Sequence, residues 1–568
     1  MSSLDWWILG GTIALLVLYG LYKSRGKQSF DDYTLAGQSL PWYHVGMSVM
    51  ATQASAITFL SAPGQGFSDG MRFVQFYFGL PLAMVVLSIT FVPIFHRLRV
   101  YTAYEFLENR FDGRVRSLTA GLFLLQRALS TGVSIYAPSI ILSTILGWNI
   151  YWTNLIMGGI VLFYSVSGGT KAISYTHLTQ MLIVTVAMFI AGFLTVHKLP
   201  TDMGFTDALR VAGKAGRLNL IDTTFDVKSR YNLWSGLIGG FFLQLSYFGT
   251  DQSQVGRYLT GETIKQSRIG LLMNGLLKVP MQFLILLVGV LVFVFYQFHE
   301  SPVFFNKQEV ERLNAGPLAG EFQVLNRQHQ GLSAQRRAAV LNLQRATAQN
   351  NDAAAAAAGD QLDKADEALA KTHAAVSDLV KRNNPAADKN DVNYVFLRFI
   401  LDYLPHGLIG LLIAMIFISS MGSIAAAYSS LASTTVVDIY RRVWPGSTHN
   451  EVVVSRWSTI GWGIFCVVVA QFTNRIGSSL IETVNILGSL FYGVILGIFC
   501  VAFYVRSIGG RATFWAAVVA EAVVFVCYYF DLMAFLWFNV VGCLLVVALA
   551  WLFTTLQLNL RPVRVADE

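Results

Sequence analysis

Polar side chains sit where a hydrocarbon environment should exclude them. Thr52, Gln53, Ser55 and Thr58 lie in an apolar stretch that begins near Tyr43, and Pro63, Gly64 and Gly66 close it. Gln126 and Arg127 lie in a second such stretch, and Gln244, Ser246 and Tyr247 in a third, among Gly239, Gly240 and Gly249. Lys278 and Gln282 lie in a fourth. Ser419, Ser420, Gly422, Ser423, Ser429 and Ser430 lie in a fifth. Polar groups cost free energy in lipid, so such residues face a cavity, a partner helix or an ion. Helix packing through small residues is the alternative for the stretch Ala51–Gly66. Arg127 and Lys278 are read either as functional charges or as side chains that snorkel to an interface. Interrupted helices offer backbone carbonyls to a cation, and hydroxyls from another helix complete its shell. Hard oxygen ligands of this kind suit Na⁺.

The elements that must position these groups are transmembrane helices. Of the 568 residues, 54% are hydrophobic and only 13% charged, against roughly a quarter charged in a soluble domain. About thirteen apolar runs reach the roughly twenty residues a crossing needs. They fall near 6–22, 43–62, 73–95, 117–146, 151–168, 178–197, 233–250, 271–297, 407–436, 455–473, 480–504, 512–530 and 535–555. The first reads as a retained helix rather than a signal peptide, since it lacks a basic start and a small-residue cleavage site. The net charge of +8 resides in loops and does not indicate nucleic acid. Lys and Arg crowd one set of short loops: YKSRGK, RLRVYTAYEFLENRFDGRVR, GRYLTGETIKQSR, DIYRRVW, VRSIGGR and the tail RPVRVADE. The opposite loops hold little beyond Arg72 and Arg475. The basic set is expected in the cytoplasm, with the N-terminus outside and the C-terminus inside an inner or plasma membrane. Cys466, Cys500, Cys527 and Cys543 are too widely spaced for a metal cluster or a disulfide framework. No enzyme constellation and no cofactor motif is visible.

Residues 298–392 differ in composition, being rich in Ala, Gln, Asn and charge. They divide the chain into 1–297, an insertion, and 393–568. Leu362, Ala365, Leu369, Thr372, Val376 and Leu379 alternate by three and four, a coiled-coil spacing. Residues 321–349 are also helix-prone. A helical hairpin outside the membrane is expected. Its surface is read either as a docking site for a partner or as a solvated helix face.

Six segments, in order, resemble the sodium:solute symporters (the sodium–glucose cotransporter family): Ala51–Gly66, TAYEFLENRF from Thr102, GVSIYAPSI from Gly132, SGGTKAISYTHLTQ from Ser167, QLSYFGTDQSQVGRYL from Gln244 with Lys278, and SMGSIAAAYSSLASTTVVDIY from Ser420. The resemblance covers most of the membrane part and excludes 298–392. It implies an all-α polytopic membrane protein of LeuT-type architecture, with two inverted five-helix repeats, discontinuous helices and extra flanking helices. The repeats would run from 43 to 197 and from 233 to about 504. It implies a secondary transporter that moves a small polar solute, a sugar or sugar acid, with Na⁺ as coupling ion. A solute sensor and a proton-coupled symporter are the rival readings.

By position, the resemblance places Na⁺ on the carbonyls of Ala51 and Ala54, with Ser419 and Ser423 opposite. Gly422 stands where the family usually has Ser or Thr, and His177 where it has the Asp of GG..A...TD..Q. These two departures leave open a weakened sodium site, a proton-assisted cycle or a different cation. A serine restored at 422 is expected to tighten sodium dependence, and His177 is placed on the ion pathway or, alternatively, as a helix cap. Thr58, Tyr77, Gln244 and Lys278 are implied to line the solute cavity, with Tyr247 as an inner gate. Arg127 either meets a solute carboxylate or is structural. One charge entering down 100 mV releases roughly 2.3 kcal/mol, enough for concentrative uptake without a nucleotide.

Overall fold

The apolar runs form helices; one is broken inside its length, at Ala54–Ser55, and another ends at a break at Asp251. In the computed structural model, the structure describes residues 1–23, 38–98, 100–200, 203–349, 351–385, 387–445, 450–473 and 479–556; side chains at 21, 23, 167–173, 175, 347 and 348 fall outside that set. Loop residues 24–27, Arg475, the tail 561–568 and most side chains of the Ser167 motif therefore lie outside the described residues.

Helix α1 spans Ser3–Lys23, α2 Trp42–Gln53 and α3 Ala56–Asp69. A tight 3-10 segment, Gly70–Tyr77, leads to α4 (Leu80–Ile89) and α5 (Phe91–Leu98). A short α6 (Glu105–Arg110) precedes α7 (Gly113–Leu146). The backbone then stays helical through α8 (Ile150–His197), which carries two of the expected runs. After α9 (Phe205–Lys214) come α10 (Gly240–Thr250), α11 (Gln252–Tyr258) and α12 (Ile264–Phe298). The insertion holds α13 (Lys307–Ala315), α14 (Ala319–Ala348) and α15 (Asp352–Asn383). Then follow α16 (Val392–Tyr403), α17 (Leu408–Thr434), α18 (Glu451–Ala470), α19 (Leu480–Tyr504), α20 (Gly510–Tyr529) and α21 (Leu536–Thr555).

Ten helices among the described residues are long and apolar enough to cross a membrane. The expected count of about thirteen is not reproduced as thirteen continuous crossings. Run 43–62 is split between α2 and α3, run 233–250 is a π-helical stretch, Ser235–Gly239, continued by α10, and run 151–168 is the shorter apolar stretch Ile150–Val166. The first shortfall arises at a helix break, where length is given up for exposed backbone.

The insertion is helical, as the spacing implied. Leu362, Ala365, Leu369, Thr372 and Val376 are buried where α15 packs on α14. Val303, Phe304, Leu313, Phe322, Val376, Leu379, Val380 and Ala387 form a small core of their own. At 35 residues and 1.5 Å per residue, α12 is about 50 Å long, more than a bilayer's hydrocarbon core. Its far end reaches the insertion, where the Arg336 Nη2 donates 2.7 Å to the Tyr296 carbonyl near the helix C-terminus.

At the opposite end, Arg116 on α7 is tied to the π-helical stretch Thr435–Tyr440 that continues α17. Its Nε donates 2.7 Å to Asp438, its Nη2 2.9 Å to the Val437 carbonyl and its Nη1 2.5 Å to Glu108. Thr102 also donates 3.0 Å to Asp438. This buried cluster joins segments more than three hundred residues apart and fixes α7 against α17.

Candidate functional site

The first break falls at Ala54–Ser55. Ala54 is extended (φ −88°, ψ 92°) and its N–H still closes α2 onto the Met50 carbonyl. Ser55 caps α3, its hydroxyl accepting 3.2 Å from the Ile57 N–H. The last carbonyls of α2, Ala51 and Ala54 among them, are thereby left without helical partners. Pro63, Gly64 and Gly66 do not make this break. All three lie inside α3, where a Cβ at Gly64 would sit 2.1 Å from the Val392 carbonyl oxygen and one at Gly66 2.4 Å from that of Leu286. Their role is close packing on α16 and α12.

Helix α17 lies across this break. The Ser419 hydroxyl donates 2.5 Å to the Ala54 carbonyl. One turn on, the Ser423 hydroxyl donates 3.1 Å to the Ser420 carbonyl and also lines the central cavity. Four of the five residues implied for the ion, Ala51, Ala54, Ser419 and Ser423, thus belong to two segments in direct contact. Gly422 points elsewhere, toward α8.

There it meets His177, fully buried. A Cβ at Gly422 would lie 2.8 Å from Gln180 Oε1, 2.9 Å from His177 Nε2 and 3.0 Å from its Cδ2. On its other side, the imidazole Nδ1 is 3.1 Å from the Ser48 hydroxyl on α2. Thr52 then donates 2.8 Å to the Ser48 carbonyl. The two departures from the family pattern are therefore one feature: the glycine makes room for the imidazole. His177 is not a helix cap, because α8 is helical on both sides of it.

The second break falls at Asp251, between α10 and α11 (φ −80°, ψ 117°). Its Oδ1 accepts 2.8 Å from the Ser253 N–H and 2.6 Å from the Ser253 hydroxyl. Its Oδ2 accepts from Arg127 and, at 2.7 Å, from the Tyr492 hydroxyl on α19. Arg127 also donates 3.1 Å to that hydroxyl and lies 5.5 Å from the centre of the Tyr247 ring. The carboxylate partner of Arg127 in this structure is thus Asp251, which the sequence reading passed over. The available signal was Gly-Thr-Asp-Gln at the end of an apolar run, a helix N-cap pattern.

Between the two breaks lies a cavity of about 110 Å³. One water needs at least 10–15 Å³ on this scale, so the space fits a small solute. Its walls include Thr58, Tyr77, Arg127, Gln244, Tyr247 and Ser423, all expected near the solute or ion. Gln53, Gln126 and Asn485 join them, and Gln53, Gln126, Gln244 and Asn485 each keep a buried amide atom without a hydrogen-bond partner. Such atoms are costly unless something polar meets them. Tyr247 accepts 2.7 Å from Gln254, which anchors its hydroxyl to α11. Lys278 is not in the cavity wall. It is fully buried behind Tyr77, its Nζ 6.0 Å from the ring centre and without a hydrogen-bond partner, and Gln282 one turn on is equally unpaired.

A model of the sodium:solute symporter family matches residues 33–310 and 374–520. The chain belongs to the sodium:solute symporter family. The gap in the match falls within the insertion. Among its relatives, the human sodium/iodide cotransporter is 33% identical over 298 residues, 50% of this chain and 45% of that protein. The sodium-dependent multivitamin transporter of Oryctolagus cuniculus is 25% identical over 516 residues, 89% and 66% of the two chains. The sodium-coupled monocarboxylate transporter 1 of Xenopus laevis is 30% identical over 263 residues, 46% and 42%. Each match spans less than two thirds of the relative. These relatives are transporters, not enzymes. A Na⁺-coupled sialic acid symporter, solved substrate-bound and outward-open, has the same fold, with a TM-score of 0.75 over 98% of both chains at 20% identity.

Proposed function

We propose that this symporter couples Na⁺ to the import of a small organic anion, a sugar acid or other monocarboxylate, by alternating access. The observation that carries the ion reading is the break at Ala54. The freed Ala54 carbonyl meets the Ser419 hydroxyl, and Ser423 lies one turn further along α17, an all-oxygen donor set suited to Na⁺. Na⁺ is the coupling ion, held by Ala51, Ala54, Ser419 and Ser423. His177, bridging Ser48 and Gly422 beside them, borders the route the ion takes to the cytoplasm.

The solute class follows from charge. Two cations, Arg127 and Lys278, stand at or behind the cavity with one carboxylate, Asp251. Arg127 reaches the cavity, while Lys278, buried behind Tyr77, adds positive field rather than a contact, and that field favours a solute carboxylate. Relatives named for iodide and for monocarboxylates accord with an anion. A neutral polyol is the second reading, favoured by Asp251 already holding Arg127 and by the four unmet amides. In both, Thr58, Tyr77 and Gln244 contact the solute and Tyr247 closes beneath it. The basic loops put the N-terminus and the insertion outside and the C-terminus in the cytoplasm of an inner or plasma membrane.

The test is uptake by proteoliposomes under an imposed Na⁺ gradient, with labelled gluconate, pyruvate and galactose. Accumulation of an acid that collapses when K⁺ replaces Na⁺ supports the proposal. Accumulation of galactose alone selects the polyol reading. Accumulation driven by a proton gradient without Na⁺ overturns the coupling ion. Na⁺-dependent binding without accumulation makes the protein a sensor.

A further inference from the structure

The connection from α9 to α10 carries apolar side chains at its tip, where water should face. Ile221 and Phe225 are 60% and 68% exposed, and Trp234 just beyond them is 41% exposed. Beside them, the turn between α20 and α21 shows Tyr529 and Phe530 at 81% and 64%. The two segments form one surface. The Ala534 N–H donates 2.8 Å to the Val227 carbonyl, and the Phe225 ring stands 6.2 Å from those of Trp234 and Trp537. Contiguous apolar exposure of this kind marks a contact.

What the patch continues into sets its occupant. Along α20 and α21 the outward faces stay apolar, with Phe525, Val526, Leu544 and Trp551 exposed, and both helices are long and apolar enough to cross a membrane. Tyr529 ends one of these helices and Leu536 begins the next, so the patch lies where hydrocarbon gives way to head groups. Aromatic rings with a polar edge favour that level. The loop satisfies its own polar groups. Asp222 accepts 2.6 Å from the Thr224 hydroxyl and 3.0 Å from its N–H, and Asp226 accepts 2.8 Å from the Lys228 N–H. Trp234 Nε1 donates 3.1 Å to the Thr223 carbonyl, and the Leu233 N–H closes the loop at 2.7 Å on the Asp222 carbonyl. Its base is tied to the wall of the central cavity. The Gln75 amide donates 3.2 Å to the Tyr231 carbonyl and accepts 3.1 Å from the Asp222 N–H. A Cβ at Gly236 would lie 2.1 Å from the Gln75 carbonyl oxygen, and one at Gly239 would lie 2.9 Å from the Leu536 Cβ. Gln75 precedes Phe76 and Tyr77 of the cavity, and the stretch Ser235–Gly239 runs into α10 with Gln244 and Tyr247.

We infer that loop 220–234 docks into the insertion-side leaflet of the bilayer, with Phe225 and Trp234 at the depth of Tyr529. The partner is the lipid interface, the same medium that covers the outward faces of α20 and α21. Docking there fixes the depth of the segment that leads into α10. The docking depends on the membrane placement of α20 and α21 and is independent of which ion or solute is carried.

The probe is a thiol-reactive nitrobenzoxadiazole dye on Val227→Cys, in the full chain in phosphatidylcholine nanodiscs. The parent chain, treated alike, gives the background from its four cysteines. Tyr529→Cys marks the interface, and Lys371→Cys on α15, where the lysine side chain is 75% exposed, marks water. Lipid brominated near the head of its acyl chains should quench the dye at 227 to within about twofold of the dye at 529 and leave the dye at 371 unquenched. Aqueous iodide should show the reverse order. Adding Phe225→Asp should bring the dye at 227 to the behaviour of the dye at 371. A dye at 227 that behaves like the one at 371 before that change overturns the docking. A dye at 227 shielded from both quenchers means that protein covers the patch, a second copy of the chain included, and overturns it too. Lipid quenching at 227 that survives Phe225→Asp removes Phe225 as the anchor and also overturns it.

Discussion

Introducing a serine at position 422 tests how the proposed ion site is built. Position alone suggests that an added hydroxyl strengthens Na⁺ binding. The structure gives the opposite sign. A Cβ at 422 meets Gln180 Oε1 at 2.8 Å and the His177 ring at 2.9 and 3.0 Å, closer than such atoms approach. Gln180 ends in a flexible amide and can turn aside. The imidazole is rigid, fully buried and held through Nδ1 at 3.1 Å from Ser48. It moves only by giving up that contact or by pushing α2 away from α17, which widens the gap between Ala54 and Ser419. Overpacking of this kind costs about 1–3 kcal/mol. A loss of 1.4 kcal/mol from cation binding is about tenfold in affinity. Gly422→Ser is therefore expected to lower the thermal unfolding temperature in detergent and raise the Na⁺ concentration for half-maximal uptake up to about tenfold. His177→Ala removes the obstacle, so Gly422→Ser made in that background should cost little. The double-mutant cycle should give a coupling of about 0.5–3 kcal/mol. The reasoning is refuted if Gly422→Ser alone keeps the parental unfolding temperature and lowers the half-saturating Na⁺.

Ser423→Ala should reduce Na⁺-dependent uptake by more than it reduces protein abundance; uptake and sodium dependence at the parental level would remove Ser423 from the ion site. Asp251→Asn leaves Arg127 buried without its anion and should cost about 3–5 kcal/mol, read as a lowered unfolding temperature that Arg127→Met in the same chain partly restores. In the insertion, burial pushes Asp388 up to about 6 and His329 down to about 4. A raised carboxyl pKa means that the folded state holds its proton more tightly between 3.8 and 6, so its contribution to stability falls as pH climbs through that window; His329 acts in the opposite sense between 4 and 6.5. Asp388→Asn should consequently stabilise the insertion at pH 8 by at most about 3 kcal/mol and leave it unchanged at pH 4, measured by limited proteolysis of α14 and α15 against pH; a difference that does not vary with pH refutes the assignment.

The helical class and the first interrupted helix were legible because both are local. Apolar runs of fixed length declare a bilayer, and polar residues within one declare that something other than lipid faces them. The position of the break was less legible. Pro63 and Gly64 look like breakers, yet they are helical, because tight packing against Val392 and Leu286 asks for small residues just as a break does. The residue that does the breaking, Ala54, has no distinctive side chain. What the sequence could not reveal was pairing at long range. Arg127 finds Asp251 124 positions later, and His177 finds Ser48 129 positions earlier. A lone Arg in an apolar run suggests an incoming anion until its internal partner is located. A missing serine suggests a weakened site until the neighbouring imidazole is seen to fill the space.

The two breaks use opposite chemistry, which is why the proposed ion is placed at only one of them. At Ala54 the exposed groups are carbonyl oxygens, partial negative charges met from α17 by the Ser419 hydroxyl. Among the described residues that carbonyl accepts from Ser419 and from no basic side chain, which is what the proposed Na⁺ site requires. At Asp251 a full negative charge caps α11 and is already neutralised by Arg127 and hydrogen-bonded by Tyr492. That break carries its own counter-ion and needs none from solution. The solute cavity touches both, through Ser55 and Thr58 on one side and Arg127, Tyr247 and Tyr492 on the other. A solute carboxylate that draws on Arg127 weakens its hold on Asp251 and loosens α11, while a cation at Ala54 stiffens the junction of α2 with α17. In the proposed cycle ion and solute would thus act on different hinges of one cavity, and coupling would require only that neither hinge move freely until both are engaged.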